Sequence, residues 1–181
     1  MELEAENTQV LILTGPVGVG KSAVAEELSN LLSAANLAHA VIDMDWLRWC
    51  HPSPTGDHFH TALGFQNLKT VAANYRAAGA SRLILVDIVE AWSALVDYHT
   101  AIPGSDILVV RLNATLPTIH RRLEGREAGD SLRWHQERAA ELLDLMEEHA
   151  VEDLLVQTEG KTAAAVAGEV LARIGWGSAV E

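Results

Sequence analysis

Apolar residues in this chain recur in two rhythms, short continuous runs and longer stretches of helical period, and the two alternate along its length. Val10 to Thr14 is the first run and stops at Gly15. From Lys21 the period changes, with Val24, Leu28, Leu31 and Leu32 on one helical face and Asn36 as a stop. His39 to Ile42 predicts a second strand ending at Asp43, and HPSPTGDHFH over 51–60 predicts a loop. Phe65, Leu68, Ala72 and Tyr75 recur at helical spacing up to Gly79, after which Arg82 to Val89 predicts a third strand and 90–100 a further helix. Asp106 to Leu112 predicts a fourth strand, and 116–127 a helix capped by Asn113 or Thr115. After a glycine break come a long helix over 132–148, a fifth strand at Leu154 to Gln157 and an alanine-rich helix from Thr162 to Ile174.

Strands and helices alternating at this spacing predict parallel βαβ units, hence an α/β fold with a five-stranded parallel sheet and helices on both faces. No internal repeat or low-complexity tract divides the 181 residues. The expectation is one domain over 1–181, with a short helical lid at about 116–138.

Charge narrows the choice of partner. Thirteen Lys and Arg against 25 Asp and Glu give a formal net charge of -12, which repels nucleic acid and anionic membrane at long range. The acidic opening MELEAENTQ is unlike a signal peptide, and no run of 18 apolar residues occurs, so a cytoplasmic protein without a membrane partner is expected, as monomer or homodimer. The lone Cys50 fits a reducing compartment and reads as a small, partly buried residue. Positive charge is concentrated: Arg111, Arg121, Arg122, Arg126, Arg133 and Arg138 fall within one segment, a pattern suited to a small anionic ligand.

Gly15 to Ser22 reads GPVGVGKS, set between the first strand and the first helix. In GxxxxGKS the glycines let backbone amides turn inward on phosphates, the lysine reaches the β and γ phosphates, and the serine hydroxyl holds Mg²⁺. The helix that follows points its N-terminal partial positive charge at the same anion. Gly15, Pro16, Val17, Gly18, Val19, Gly20, Lys21, Ser22 and Ala23 are therefore the expected nucleotide-binding set.

Two acidic segments sit at strand ends, where open parallel sheets bind ligands. IDMD places Asp43 and Asp45 after the second strand, as ligand-facing acids or as caps of a helix beginning near Trp46. LILVD delivers Asp87 at the end of the third strand, towards Mg²⁺ or into a structural salt bridge, and Glu90 either faces substrate or caps the next helix.

With these residues in place, the chain resembles the small P-loop kinases, the group containing adenylylsulfate kinase, gluconate kinase, shikimate kinase and chloramphenicol phosphotransferase. The likeness rests on GPVGVGKS, IDMD, LILVD, RRLEGRE and VQTEGKT in order, of which only the first is specific. It implies ATP and Mg²⁺, with the γ-phosphoryl passing to a small hydroxyl-bearing substrate. It also implies Lys21 on the phosphates, Asp45 as base or acceptor anchor, Asp43 supporting Mg²⁺ through water, Ser22 and Asp87 at the metal with Asp87 near Lys21, and lid arginines Arg122 and Arg126 on nucleotide phosphates. An ATPase or switch without a small-molecule acceptor, and a toxin-like nucleotide-sugar kinase, share these motifs.

The arginine choice has a geometric basis. With Leu116, Ile119 and Leu123 as the apolar face and Ile119 at zero, Arg126 falls at about -20°, Arg122 at about -60° and Arg121 at about 200°. Arg121 is expected in solvent and the other two beside the inward face, where an anion offsets their burial. Arg138 is a further candidate. Trp46, Arg48 and Trp49 follow the acidic pair, as core or as acceptor pocket. His51, Asp57, His58 and His60 form a loop cluster whose spacing matches no standard zinc pattern.

Overall fold

The computed structural model describes residues 8–57 and 59–176. Five strands, β1 (Thr8–Thr14), β2 (His39–Asp43), β3 (Arg82–Val86), β4 (Ser105–Asn113) and β5 (Leu154–Gln157), form one parallel sheet in the order β2-β3-β1-β4-β5. Helices α1 (Lys21–Ala34), α2 (Met44–Arg48), α3 (Thr61–Ala77), α4 (Leu95–Ala101), α5 (Leu116–Glu124), α6 (Gly129–His149) and α7 (Ala163–Ile174) cover it. The central strands β1 and β3 are buried on both faces, which explains why they read as continuous apolar runs rather than as alternation.

The period of two appears only in the packing. Leu11, Leu13, Ile84, Val86, Val110 and Leu112 pack beneath α1, α5 and α7, while Val10, Ile12, Leu83, Leu85 and Val109 pack beneath α3 and Tyr98 of α4. With β1 and β3 central and paired in parallel, both strands end at the same edge of the sheet, and the loop after β1 lies beside the segment after β3. Chain direction reverses its order across the sheet at this place, which is where open α/β sheets form their ligand crevice.

Several boundaries differ from the sequence expectation, each for a local reason. The third strand stops at Val86 rather than Val89, because the Asp87 carboxylate accepts from Ile88 N at 2.8 Å and Val89 N donates to Thr14 Oγ1 at 2.9 Å, so side chains replace the ladder. The helix expected over 90–100 is a 3₁₀ turn at Trp92–Ala94 followed by α4. The helix expected over 116–127 ends at Glu124, where Arg126 N and Glu127 N both turn back onto Leu123 O. The long helix starts at Gly129 rather than Leu132.

Of the segment expected as a lid, Ile119 and Leu123 of α5 are fully buried in the core. Cys50 is exposed, not partly buried. Trp46 and Trp49 are neither core nor pocket; they stack on each other at 5.0 Å and are 69% and 76% exposed. No helix among the described residues is long and apolar enough to cross a membrane.

The arginine-rich segment divides by partner. Arg111, in the middle of β4, is buried and meets Glu152 at 2.7 Å and Glu147 at 3.5 Å, which ties the end of α6 to the sheet. Arg133 pairs with Asp130 on the exposed side of α6, and Arg121 is exposed.

Candidate active site

The loop Gly15–Gly20 is shaped by close approaches that only glycine permits at two positions. Gly15 has φ +144°, and a Cβ there would lie 2.5 Å from Leu112 O; Gly18 has φ +82°, and its Cβ would lie 2.8 Å from Leu123 Cγ. The loop is thus pressed against β4 and α5. Arg122 holds it from behind: its Nη1 donates to Val19 O at 2.8 Å and to Thr158 Oγ1 at 3.0 Å, and its Nη2 to Thr158 O at 3.1 Å. Arg122 therefore points inward, as the helical wheel predicts, but onto the loop backbone rather than into the cleft. Glu159, from the VQTEGKT segment, accepts from Thr115 and Thr118 at the start of α5, and these bonds hold its carboxyl below the usual range.

At the other end of the loop, α1 begins at Gly20 in the left-handed region with no side-chain cap and no acid in its first turn. The first amides of α1 are left for an external acceptor, and the helix dipole adds to their attraction for an anion. Lys21 Nζ lies along the loop, donating to Gly15 O at 2.8 Å and Pro16 O at 3.2 Å. Burial pushes its pKa down to about 8, against the opposing pull of Asp45, Asp87 and Asp43.

Asp43 caps α2, which begins at Met44 rather than near Trp46: its Oδ1 accepts from Asp45 N at 3.0 Å while its Oδ2 accepts from Ser22 Oγ at 3.4 Å. One carboxylate thus serves both as the cap of α2 and as the acceptor for Ser22. Asp45 projects from the first turn of α2 with its side chain 91% exposed, 3.8 Å from Arg48. Partial loss of hydration among its neighbours, then the negative charges of Asp43 and Asp87, raise its pKa.

Asp87 lies close enough to Lys21 to act on its charge, as expected, but its ion pair is with Arg48. Its carboxylate takes a bidentate bond from Arg48, at 2.6 and 2.7 Å, and accepts the Tyr98 hydroxyl, within a buried setting. Gly64 makes this possible, since a Cβ there would press on Arg48 Cγ at 2.8 Å. The salt bridge is with Arg48 rather than with Lys21, and both carboxylate oxygens carry hydrogen bonds. Burial, then Asp87, raises the Tyr98 phenol well above its ordinary value, so it stays a donor.

Two hollows share this wall. The smaller, about 210 Å³, is lined by the loop, Lys21, Ser22, Ala23 and Arg126. The larger, about 490 Å³, extends between α3, α4 and the start of α6. Val17, Asp45, Asp87 and Ile88 line both. Arg126 reaches the smaller hollow although α5 ends before it; the turn after Gly125 carries it there, not the helical face assumed from the sequence.

The larger hollow contains residues that no sequence motif marks: Tyr98 and Asp97 on α4, Phe59 and Thr61 at the head of α3, and Trp134 on α6. They come from three separate elements, and topology alone assembles them. Arg138 and Glu90, weaker candidates from the sequence, line it as an ion pair with each other. Of the loop cluster His51, Asp57, His58 and His60, His58 lies outside the described residues. Asp57 accepts from Thr61 N and Leu63 N at the head of α3, and His60 Nδ1 lies 2.7 Å from Arg48 O. Among the described residues no group of three or more His, Cys, Asp or Glu is placed to hold a metal.

Comparison with known proteins agrees with this fold. The family model described as AAA domain matches residues 11–144. No curated protein matches the sequence. Among solved structures, the tunicamycin resistance protein of Deinococcus radiodurans is similar with a TM-score of 0.67 at 18% identity, covering 93% of this chain and 96% of that one. A sugar kinase from Janibacter sp. is similar with a TM-score of 0.64 at 16% identity, covering 93% and 95%. Shikimate kinase from Acinetobacter baumannii, in complex with shikimate, is similar with a TM-score of 0.58 at 16% identity, covering 94% of each. At these identities the likeness establishes the fold.

Proposed function

Because the chain belongs to the AAA domain family and has the fold of the small P-loop kinases, we propose that it transfers the γ-phosphoryl of ATP to a hydroxyl of a small molecule. The observation that carries this reading is the shared wall: a phosphate-sized hollow around Lys21 opens beside a 490 Å³ hollow, with Asp45 lining both.

In the transfer, an acceptor hydroxyl oxygen bonds to the γ-phosphorus as the bond from that phosphorus to the β–γ bridging oxygen breaks, ADP leaves, and the hydroxyl proton passes to the Asp45 carboxylate. Lys21, the open amides of α1 and Arg126 stabilise charge on the transferring group. Arg122 acts through the loop it braces, and is a positioning residue. The Ser22 hydroxyl lines the phosphate hollow and lies 3.4 Å from the Asp43 carboxylate, and the two offer hard oxygen donors that fit Mg²⁺. When bound there, Mg²⁺ would neutralise phosphate charge. The similar structures include kinases named for a sugar and for shikimate, so they leave the acceptor open.

The arginines give a test internal to one segment. Arg126→Ala is expected to slow phosphoryl transfer by about tenfold to a hundredfold, the scale of losing one charge-stabilising donor at an exposed position, while Arg121→Ala changes it little. Arg122→Ala is expected to act through the loop, raising the KM for ATP as well as lowering kcat. Steady-state kinetics on the three variants check this, and equal losses from Arg121→Ala and Arg126→Ala would refute the assignment.

Protonation of Lys21 gives a second test. The unfolded chain keeps this proton to about 10.5 and the free fold only to about 8, so between these values the nucleotide-free protein gains stability as pH rises. Phosphates reverse the preference by favouring the charged lysine. ATP binding above about pH 8 is therefore expected to take up a proton, with affinity falling by up to about tenfold per pH unit. Calorimetric titration near pH 9 in two buffers of different ionisation heat should show the uptake. Buffer-independent heat would contradict it.

A further inference from the structure

The charges lining the larger hollow are already matched in a way that restricts what can enter. Two arginines face it, and neither offers a free fork. Arg48 gives both terminal nitrogens to Asp87, at 2.6 and 2.7 Å; Arg138 gives one to Glu141 at 3.2 Å and the other to Glu90. Against them stand Asp45, Asp87, Glu90 and Asp97. Two of these four acids offset the arginines. Asp45 shares Arg48 only at 3.8 Å, and Asp97 forms no ion pair among the described residues.

A carboxylate or phosphate brought into this space gives up water without finding an uncommitted cation, and meets two carboxylates in excess. An ammonium group meets the reverse. The apolar part of the hollow favours a ring: Phe65 of α3, packed edge to face on buried Tyr98 at 4.9 Å, and the Trp134 ring of α6, 56% exposed, both line it. Such faces cover the apolar surface of a saturated ring and attract a cation through their quadrupoles.

We infer that the acceptor is a hydroxyl-bearing ring compound carrying a protonated amine, of the amino-sugar or aminocyclitol class, and not a sugar acid or phosphorylated sugar. This rests on the kinase reading above. Asp97 is a specificity-determining residue, placed to meet the amine across the hollow from the phosphate loop; Asp45 stays with the reacting hydroxyl.

The test uses rings that differ in charge alone. Glucosamine, glucose and glucuronate form one set, and 2-deoxystreptamine with scyllo-inositol a second; each is titrated into the full-length protein by ligand-observed NMR, then incubated with MgATP. The expected order is amine above neutral ring above acid, with the amine favoured by roughly twofold to fivefold for each exposed carboxylate it meets. Asp97→Asn is expected to narrow the amine-to-neutral ratio by a similar factor and leave glucose binding where it was. A merely structural role for Asp97 would weaken both ligands together. Glucuronate binding as tightly as glucosamine overturns the inference, as does failure of both amines to bind at about 10 mM. Amines that bind in the expected order yet yield no phosphomonoester count against the kinase reading and leave the pocket assignment standing. Phosphorylation of the acid in preference to the amine does the opposite.

Discussion

Lys21→Ala is expected to lower ATP-dependent phosphoryl transfer by at least about a thousandfold, the scale on which P-loop and finger cations act on a transferring phosphoryl. The lysine lies along the loop with its ammonium on Gly15 O and Pro16 O, next to the open amides of α1. It is the cation that the loop itself supplies to the phosphate hollow. The fold should survive, because burial opposes the charge of Lys21 and the substitution removes a cost along with two hydrogen bonds. Far-ultraviolet circular dichroism and thermal unfolding should match the parent, while turnover is lost. Turnover within tenfold of the parent would remove Lys21 from the chemistry.

The second large effect is on stability. Asp87→Ala is expected to cost about 3–5 kcal/mol, because it leaves the Arg48 guanidinium partly buried without its carboxylate and the Tyr98 hydroxyl without its acceptor. Urea unfolding measures this directly. Replacing both partners, Arg48→Met with Asp87→Leu, should recover most of the loss, since the penalty belongs to the unpaired charge. The milder Asp87→Asn should leave the half-saturating Mg²⁺ concentration within about twofold of the parent, as both Asp87 oxygens are already engaged. A several-fold weaker Mg²⁺ response in that variant, with unchanged stability, would return Asp87 to the metal.

Much of this architecture is legible in the sequence because its signals are local. The run before Gly15, GPVGVGKS itself and the helical period from Lys21 describe one contiguous strand, loop and helix, and the structure forms them within two residues of expectation. Five parallel strands follow from alternation alone. The direction of Arg122 is also readable, since it depends only on angle from Ile119 and Leu123. Its partner is not: Val19 O and Thr158 belong to segments far away in the chain.

The pairing of Asp87 was hidden for the same reason. Arg48 reaches it through space that Gly64 leaves open, across three elements, and nothing within LILVD reports that a guanidinium will arrive. Arg126 shows the converse. Its expected helical position does not exist, because α5 ends at Glu124, yet the turn that ends the helix carries the side chain to the phosphate hollow. Trp46 and Trp49 have the spacing of core residues, but α2 is a single short turn whose outer face meets solvent, so both rings remain outside and cover each other.

The central claim is that the two adjoining hollows bring ATP and a hydroxyl compound together for transfer. Phosphorus NMR of the protein with MgATP, followed with and without the amine-bearing rings, tests it most directly. The account predicts a phosphomonoester resonance that grows with ADP in equal amounts, requires the ring compound, and falls sharply in Asp45→Asn. ADP and inorganic phosphate released at the same rate whether or not any acceptor is present, with no phosphomonoester formed, would contradict it and make the chain a nucleotide hydrolase.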